Sequence, residues 1–190
     1  MRNRYLPTEI EISGKTYPIN QKGDYGMVLD VLEVLSDKEL TDQEKSLTAL
    51  LIFYDFKLPD TEEELQIAGE KMIEFINCGE KNKPSNKKPL MNWNKDFPLL
   101  VAPINRVLQY DIRERQYVHW WTVVSAYMEI GECTFQTVVG IRQKKQKHKK
   151  LEKWEEEYYR ENRDKVDLDI DFSSEEEQFF KDLLGGDLIG

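Results

Sequence analysis

Four copies of one helix-start signal constrain this chain more than any other feature. Each has serine or threonine followed three residues later by glutamate, at residues 36–39, 41–44, 61–64 and 173–176. In this capping box the hydroxyl oxygen accepts a hydrogen bond from a backbone N–H of the first helical turn, and the glutamate accepts one from the cap residue. The pattern predicts helices that begin at these points.

Apolar side chains recur at helical spacing between and beyond these caps. Intervals of three and four residues place side chains on one face of a helix, where they pack against a core. We predict about seven helices on this basis, and His119 falls inside the fifth. Their apolar stripes are Val28, Val31, Leu32 and Leu35; Leu47, Leu50, Leu51 and Tyr54; Leu65, Ala68, Met72, Phe75 and Ile76; Phe97, Leu100, Val101, Ile104 and Leu108; Tyr117, Trp120, Trp121, Val124 and Met128; Phe135, Val138 and Val139; and Leu151, Trp154 and Tyr158.

The N-terminal segment alternates polar and apolar residues instead. Residues 8–12 alternate, residues 13–15 contain a glycine, and residues 16–19 are again rich in strand-forming residues. This pattern predicts a β-hairpin, and Pro18, which has no N–H to donate, favours an edge strand. Because a lone hairpin is marginal in water, we expect it to pack on the helices or to pair with another chain.

The composition is typical of a globular protein with a large charged surface. Apolar residues make up 39% of the 190 residues and charged residues 33%, and the formal net charge is −9. No basic N-terminal segment followed by an apolar stretch marks a secretory signal, and the longest apolar runs are too short to span a bilayer. We therefore expect a soluble cytoplasmic protein without a membrane partner, in which Cys78 and Cys133 stay reduced.

Charge is segregated in the C-terminal part of the chain. Residues 142–153 contain seven basic residues and one acidic residue, a local +6, whereas residues 166–190 contain eight acidic residues and one lysine, a local −7. We predict a mainly α fold with three units: an N-terminal β-hairpin at 1–22, a multi-helix core at 23–141, and a charged helical extension at 142–190, in which a basic helix precedes an acidic one. Since opposite charges attract, we hypothesise that this extension is a mobile recognition arm, which folds back within the chain or pairs with a neighbouring subunit.

Catalytic and metal-binding patterns are missing from the sequence. The two histidines, His119 and His148, have no histidine or cysteine at the three- or four-residue spacing that helical metal sites use. No glycine-rich phosphate-binding sequence occurs, and the glutamate runs fit helix surfaces, where the helix dipole and neighbouring lysines explain them. We expect a protein that is not an enzyme and that holds no metal or cofactor.

The basic segment at 142–153 is the best candidate for nucleic-acid binding. Its lysines would contact phosphates, and Trp154 and Tyr158 would stack on bases. Against this, the acidic tail follows closely, the whole chain is acidic, and Leu151, Trp154 and Tyr158 share the spacing of an apolar face that docks on protein. Protein binding is therefore the stronger prediction.

Six aromatic side chains are the candidates for contacts with a protein partner. Large aromatic residues dominate the binding energy of protein interfaces, although they also fill cores. Trp120 and Trp121 point about 100° apart on a helix, so they rarely share one pocket. Core packing is the favoured interpretation of this pair, and the alternative is that one is in the core and the other anchors a partner. The six candidates are Trp93, Trp120, Trp121, Phe135, Trp154 and Tyr158.

One block of the chain has a recognisable signature. It contains Asn-Trp at 92–93, Tyr-Asp-Ile at 110–112, His-Trp-Trp at 119–121, Phe135, Val-Gly-Ile-Arg at 139–142 and then the lysine-rich segment. This block resembles a family of bacteriophage proteins that are encoded among the tail genes of long-tailed phages and prophages of Gram-positive bacteria, and the resemblance covers roughly 93–167. The Ile-Ser-Gly-Lys-Thr-Tyr of the N-terminal hairpin is similar to the start of many phage tail assembly chaperones.

The resemblance implies tail-assembly chaperoning. Such a protein would bind and solubilise the helical, aggregation-prone tape measure protein, or another tail protein, in the cytoplasm of the host bacterium. A temporary coat binds weakly per copy and many times over, so a homo-oligomer would suit this role. A structural component of the tail or virion is the first alternative, and a nucleic-acid-binding phage protein that acts through 142–153 is the weaker one.

Overall fold

The fold is mainly α-helical, as predicted, with one short hairpin near its N-terminal end. The computed structural model describes residues 5–80 and 88–168. In chain order its elements are β1 (Glu9–Ile12), β2 (Lys15–Pro18), a 3₁₀ turn (Asn20–Lys22), α1 (Tyr25–Ser36), α2 (Asp42–Phe53), α3 (Glu62–Ile76), α4 (Trp93–Leu108), a second 3₁₀ turn (Ile112–Glu114), α5 (Trp120–Met128), α6 (Thr134–Gln146), α7 (Lys153–Glu161) and α8 (Arg163–Val166). No helix within these two ranges is long and apolar enough to cross a bilayer. The cap predicted at 173–176 and the acidic C-terminal helix lie outside the described residues.

The two strands form the predicted antiparallel hairpin, and the hairpin packs on the helices. Ile12 pairs with Lys15 at the turn, and the Ile12 side chain is buried in the core. The ring of Tyr17 meets the ring of Tyr54 edge-on, with centroids 6.2 Å apart. Burial of one face of the hairpin supplies the stability that a two-stranded sheet lacks in water.

Two of the predicted capping boxes begin helices in the structure. The Thr41 hydroxyl accepts a hydrogen bond from the Glu44 N–H, and the Glu44 carboxylate accepts one from the Thr41 N–H, so both halves of the box are present at the start of α2. Thr61 caps α3 by accepting from the Glu64 N–H at 3.3 Å. These signals are local, which is why the sequence reveals them.

The capping box predicted at 36–39 is wrong. Ser36 is the last residue of α1, and its hydroxyl donates to the carbonyl of Leu32 one turn back. The N–H of Glu39 bonds instead to the Asp37 side chain. The same residue types therefore end one helix here, because serine and aspartate side chains also satisfy backbone groups outside helix starts.

The core lies among the first six helices and the inner face of the hairpin. Within α2 the buried face differs from the predicted stripe, because Lys45 and Ala49 face inward whereas Leu47 is exposed. The largest fully buried apolar side chains are Trp120, Tyr54, Phe53, Phe135, Ile12, Met27, Leu35, Met72, Ile76, Leu100 and Ile104.

The helix predicted around Tyr117 begins three residues later than its apolar stripe suggests. His119 is the N-cap of α5, so the prediction that it lies inside a helix is wrong. His119 has an extended backbone conformation and forms an isolated antiparallel bridge with Asp24. The Tyr25 N–H donates to the Val118 carbonyl at 2.9 Å, and the Trp120 N–H donates to the carbonyl of Gly23 at 2.8 Å.

The described part of the charged extension folds back on α6. Its basic residues fall at the end of α6, in the connection at 147–152, and at the start of α7. A second apolar cluster forms from buried Val138, Ile141 and Val166, with Leu151 and Tyr158 packed against it. Helices α7 and α8 therefore share an apolar contact with the core helices, and α6 connects the two regions.

A buried ion pair fixes this C-terminal region. Arg142 on α6 and Asp96 on α4 are both almost fully buried, and their side chains meet through two hydrogen bonds of 2.7 and 2.8 Å. We call this arrangement the Arg142 clamp. The guanidinium also donates to the carbonyls of Leu90 (3.0 Å), Lys165 (2.7 Å) and Val166 (2.7 Å). Planar forks of this kind suit arginine, and full satisfaction of its donors offsets the cost of burying the charge.

Candidate protein-binding groove

A groove of ≈400 Å³ lies between the N-terminal hairpin, the end of α3 and the start of α5. Its apolar lining includes Pro7, Ile10, Phe75 and Trp121, and charged side chains stand around them. Concave apolar surfaces with a few polar groups at the edge are the usual form of a binding site. We call this surface the hairpin groove.

A junction between distant chain segments builds one wall of the hairpin groove. Asp24 caps α1 by accepting from the Gly26 N–H at 2.8 Å, and its second oxygen accepts from the Val118 N–H at 2.8 Å. One carboxylate therefore joins the start of α1 to the segment before α5. We call Asp24, His119 and their hydrogen-bond partners the His119 junction.

Both ring nitrogens of His119 are used at this junction. Nδ1 accepts a hydrogen bond from the Trp121 N–H at 3.1 Å, and Nε2 lies 3.0 Å from the Pro7 carbonyl oxygen. Since a carbonyl only accepts, Nε2 carries the proton and the ring is neutral. Burial lowers the pKa of His119, although the hydrogen bond with Pro7 and the charge of Asp24 act to raise it. The neutral ring thereby ties the chain before the hairpin to α5.

The two adjacent tryptophans cap the C-terminal end of α3. The Trp121 indole N–H donates to the Phe75 carbonyl at 2.8 Å, and the Trp120 indole N–H donates to the Ile76 carbonyl at 2.8 Å. Carbonyls in the last turn of a helix have no partner within that helix. The Trp120 indole supplies a partner for the Ile76 carbonyl, and the Trp121 indole gives the Phe75 carbonyl a second donor besides the Cys78 N–H at 2.9 Å. The same bonds hold the Trp121 ring at the surface of the groove.

The edge of the hairpin groove has charges of both signs. Lys71 and Glu74 on α3 form an ion pair with a separation of 2.8 Å, and Glu11 on β1 is exposed on the opposite side. Exposed pairs of this kind add little to stability. They do favour partners whose charged side chains match both signs, since edge charges influence specificity and the rate of association.

The six aromatic candidates separate into two groups. Trp93, Trp120 and Phe135 are buried, and the rings of Trp93 and Trp120 meet edge-on with centroids 4.8 Å apart. These three lie in the core and offer no surface to a partner. Trp121 is half-buried in the hairpin groove, so the structure separates the neighbouring tryptophans into a core residue and a surface residue.

The remaining two candidates lie on α7, far along the chain from the groove residues. Tyr158 is half-buried against the second apolar cluster, whereas Trp154 is 53% exposed. The apolar face predicted for Leu151, Trp154 and Tyr158 is thus divided, because only the first and last pack inward.

Two lysines of the basic segment are used within the chain. Lys144 contacts the Glu155 carboxylate at 2.6 Å, and Lys145 pairs with Asp167. Burial acts to raise the pKa of Asp167, but hydrogen bonds from Lys145 and Tyr159 outweigh it and lower that pKa. Part of the positive charge predicted for a phosphate-binding surface is therefore neutralised by the protein itself.

Sequence reasoning missed the polar residues that organise these sites. Asp24, Asp96 and Arg142 are almost fully buried, yet their partners lie 94, 46 and 46 residues away in sequence. Arg142 falls at the start of the predicted basic segment, and its distinguishing signal is its place directly after the apolar residues Val139 and Ile141. No group of three or more His, Cys, Asp or Glu side chains in the described ranges is placed to hold a metal ion.

The fold and the groove together define a class: a small, mainly helical protein with an N-terminal hairpin that borders an apolar groove. Comparison with protein families identifies it further. The model of the family described as "Bacteriophage Gp15 protein" matches residues 3–168. The chain therefore belongs to this bacteriophage family. Comparisons with the curated proteins and with the solved structures gave no match.

Proposed function

We propose that this protein is a non-catalytic phage tail assembly chaperone, which binds and solubilises the tape measure protein during tail morphogenesis in the host cytoplasm. Membership of a bacteriophage family supports the phage context. The observation that carries the proposal is the hairpin groove, where Trp121 is held half-exposed by two hydrogen bonds beside Phe75.

The groove has the size and chemistry to receive part of an amphipathic helix. A volume of ≈400 Å³ accommodates a few side chains and not a whole helix. Helices bind such grooves through apolar residues at spacings of three and four, and a tape measure protein offers many such stretches. A chaperone that contacts only a few residues per site binds weakly, and repeated sites along one long partner compensate for this.

Co-expression tests the proposal. The tape measure protein encoded in the same phage or prophage genome is produced with the full chain, with Trp121→Ala, or with Met128→Ala, and its soluble fraction is measured. Met128 is the matched control, because it is a large apolar residue of the same helix that is 73% exposed and does not line the groove. We expect the wild type and Met128→Ala to keep the partner soluble and Trp121→Ala to lose this effect.

Trp121→Ala also removes a hydrogen bond, so a second variant is needed to distinguish a loss of binding from a loss of folding. Glu74→Lys reverses a charge at the edge of the groove without altering its apolar lining, and it is expected to weaken solubilisation while the circular dichroism and melting temperature stay near those of the wild type. Equal solubilisation by all variants would exclude the groove as the binding site. An insoluble partner in every case would exclude the chaperone role.

The alternatives give different results in two further measurements. A structural tail or virion component remains in purified particles, whereas a chaperone is absent from them. A nucleic-acid-binding protein retains affinity for DNA or RNA at physiological salt. We expect neither result, and the internal pairing of Lys144 and Lys145 supports the second expectation.

A further inference from the structure

A second apolar surface lies on the outer face of α2, and it shares no residue with the hairpin groove. Leu47 is 51% exposed and Phe56, just beyond the helix, is 75% exposed. Leu51 lies one helical turn after Leu47, on the same face. We call Leu47, Leu51 and Phe56 the α2 strip.

Helix geometry places the α2 strip opposite the core. Ala49 and Phe53 are buried, and Leu51, two residues after Ala49, points about 160° away from it around the helix. Leu51 is nevertheless only half-exposed, and it is not among the side chains that pack on the core cluster. Leu51 therefore presents part of its apolar side chain on the outer face of α2, between Leu47 and Phe56 in the chain.

The backbone at the end of α2 has a conformation that leaves the Phe56 side chain exposed. Asp55 and Phe56 both have left-handed backbone conformations, with φ of 50° and 59°. The Phe56 N–H donates to the Leu51 carbonyl at 2.9 Å, and the Lys57 N–H donates to the Tyr54 carbonyl at 3.0 Å. Glycine adopts this conformation without strain and is the usual residue at such helix ends. A phenylalanine here costs the monomer both strain and exposed apolar area.

Charged groups at the two ends of the α2 strip indicate which partner it binds. Glu44 lies at the N-terminal end of the outer face, and Lys57 follows Phe56 at the other end. Glu44 is exposed, and both of its hydrogen bonds with Thr41 in the capping box use Oε2. Lys57 lies 3.8 Å from Asp55 in a pair whose two members are exposed, so it can exchange partners readily.

We infer that the α2 strip binds the same strip of a second copy of this chain, with the two α2 helices antiparallel. In this arrangement Lys57 of each copy reaches Glu44 of the other, and the midpoint between these residues lies next to Leu51. Leu51 would then meet its own counterpart at a two-fold axis, as a self-complementary interface requires. One helix face buries little area, so the association is weak and depends on concentration.

Sedimentation equilibrium of the full chain provides the first test. We expect a reversible monomer–dimer equilibrium for the wild type, and a much weaker one for Leu51→Glu, which places like charges at the two-fold axis. Met128→Glu is the matched control, since it adds the same charge to another exposed apolar residue and is expected to dimerise like the wild type. A wild-type chain that remains monomeric up to about 1 mM overturns the inference.

Phe56→Gly separates the interface from the stability of the monomer. Glycine relieves the left-handed strain, so the melting temperature is expected to stay the same or rise, while dimerisation weakens because an apolar contact is lost. A variant that loses both its fold and its dimerisation would contradict the expected relief of strain at residue 56. Unchanged dimerisation in Phe56→Gly contradicts the inference.

Cross-linking locates the two-fold axis directly. Leu51→Cys is expected to form a disulfide-linked dimer under mild oxidation, whereas Met128→Cys and the wild type, with its two half-buried cysteines, are expected to remain mostly monomeric. Equal cross-linking of both variants would indicate random collision and overturn the inference. The inference is also overturned if a different protein protects Leu51→Cys from oxidation while this chain stays monomeric.

Discussion

The two ends of the described chain are held to the helical core by different interactions, one through a neutral side chain and the other through a buried ion pair. At the His119 junction a neutral ring and backbone groups hold the N-terminal segment, and one wall of the hairpin groove depends on them. At the Arg142 clamp a buried ion pair holds α8 against α4 and α6. The first responds to acid because its ring must stay uncharged, whereas the second depends on both charges being present. Residues 142–190 were hypothesised to form a mobile arm. Within the described residues, this segment is bonded to the core helices through the Arg142 clamp.

Breaking the Arg142 clamp is expected to have the largest effect. Asp96→Ala leaves a buried guanidinium without its counter-charge, which costs about 3–5 kcal/mol of unfolding free energy. Arg142→Met removes the cation and costs a similar amount, because the Asp96 carboxylate then lacks its partner. The measurement is urea unfolding of each variant.

The double variant sharpens this prediction. Asp96→Ala combined with Arg142→Met is expected to cost clearly less than the two single changes added together, because neither charge is then left alone. Additive costs, within about 0.5 kcal/mol, would mean that the two side chains stabilise the fold independently.

The His119 junction is most sensitive to added volume at Gly23. This glycine has φ of +79°, and a Cβ atom there would lie 2.6 Å from the Phe75 ring and 3.1 Å from His119 Nε2. Gly23→Ala is therefore expected to destabilise the fold by roughly 1–3 kcal/mol. Gly69→Ala is the matched control: it lies within α3 with nothing near its Cβ position, and alanine there should stabilise by roughly 0.5–1 kcal/mol. The same sign for both variants in thermal unfolding would contradict the geometry.

The His119 junction is expected to lose stability in acid, which tests the contrast with the Arg142 clamp. The folded-state pKa of His119 is lowered by burial, so the unfolded chain takes up a proton at a higher pH than the folded chain does. The stability due to the neutral ring is full above the unfolded pKa of about 6.5 and is lost as the pH falls below it. We expect the urea midpoint to fall between pH 7.5 and 5.5 in the wild type and to fall less in His119→Gln, an effect of intermediate size. Identical slopes would show that other groups cause the dependence.

The smallest effect is expected at the pair of Lys144, which is one-third exposed, and Glu155, which is buried. Lys144→Met removes the more exposed partner, while Glu155 keeps its hydrogen bond from the Glu152 N–H, so the expected loss is about 1 kcal/mol. Added salt should reduce the difference from the wild type. A loss as large as that of Asp96→Ala would show that the C-terminal segment depends on surface charge more than on the Arg142 clamp.

Sequence patterns predicted the parts of this fold that depend on neighbours along the chain. The hairpin and the caps at Thr41 and Thr61 were found because their partners lie within a few residues. The start of α5 was misplaced because His119 is drawn out of the helix by Asp24, 95 residues away. The buried face of α2 was misassigned for a related reason, since Leu47 of the predicted stripe is exposed and Lys45 is buried when the helix packs on α1.

The candidate site was predictable only in part. Trp121 is among the aromatic candidates, and periodicity places Phe75 on an apolar face. The groove itself needs the hairpin to be packed against the end of α3, which no local pattern reveals. The Arg142 clamp is hidden in a run of basic residues, because a buried arginine and an exposed one look alike in sequence.

Hydrogen–deuterium exchange of the full chain, with and without a soluble segment of the tape measure protein, tests the central claim most directly. The proposal expects slower exchange on binding at β1, in the last turn of α3 and in the first turn of α5, with α7 and the outer face of α2 unchanged. Protection confined to 142–153 and α7, or no protection at any of these sites, would contradict the hairpin groove as the surface that holds the partner.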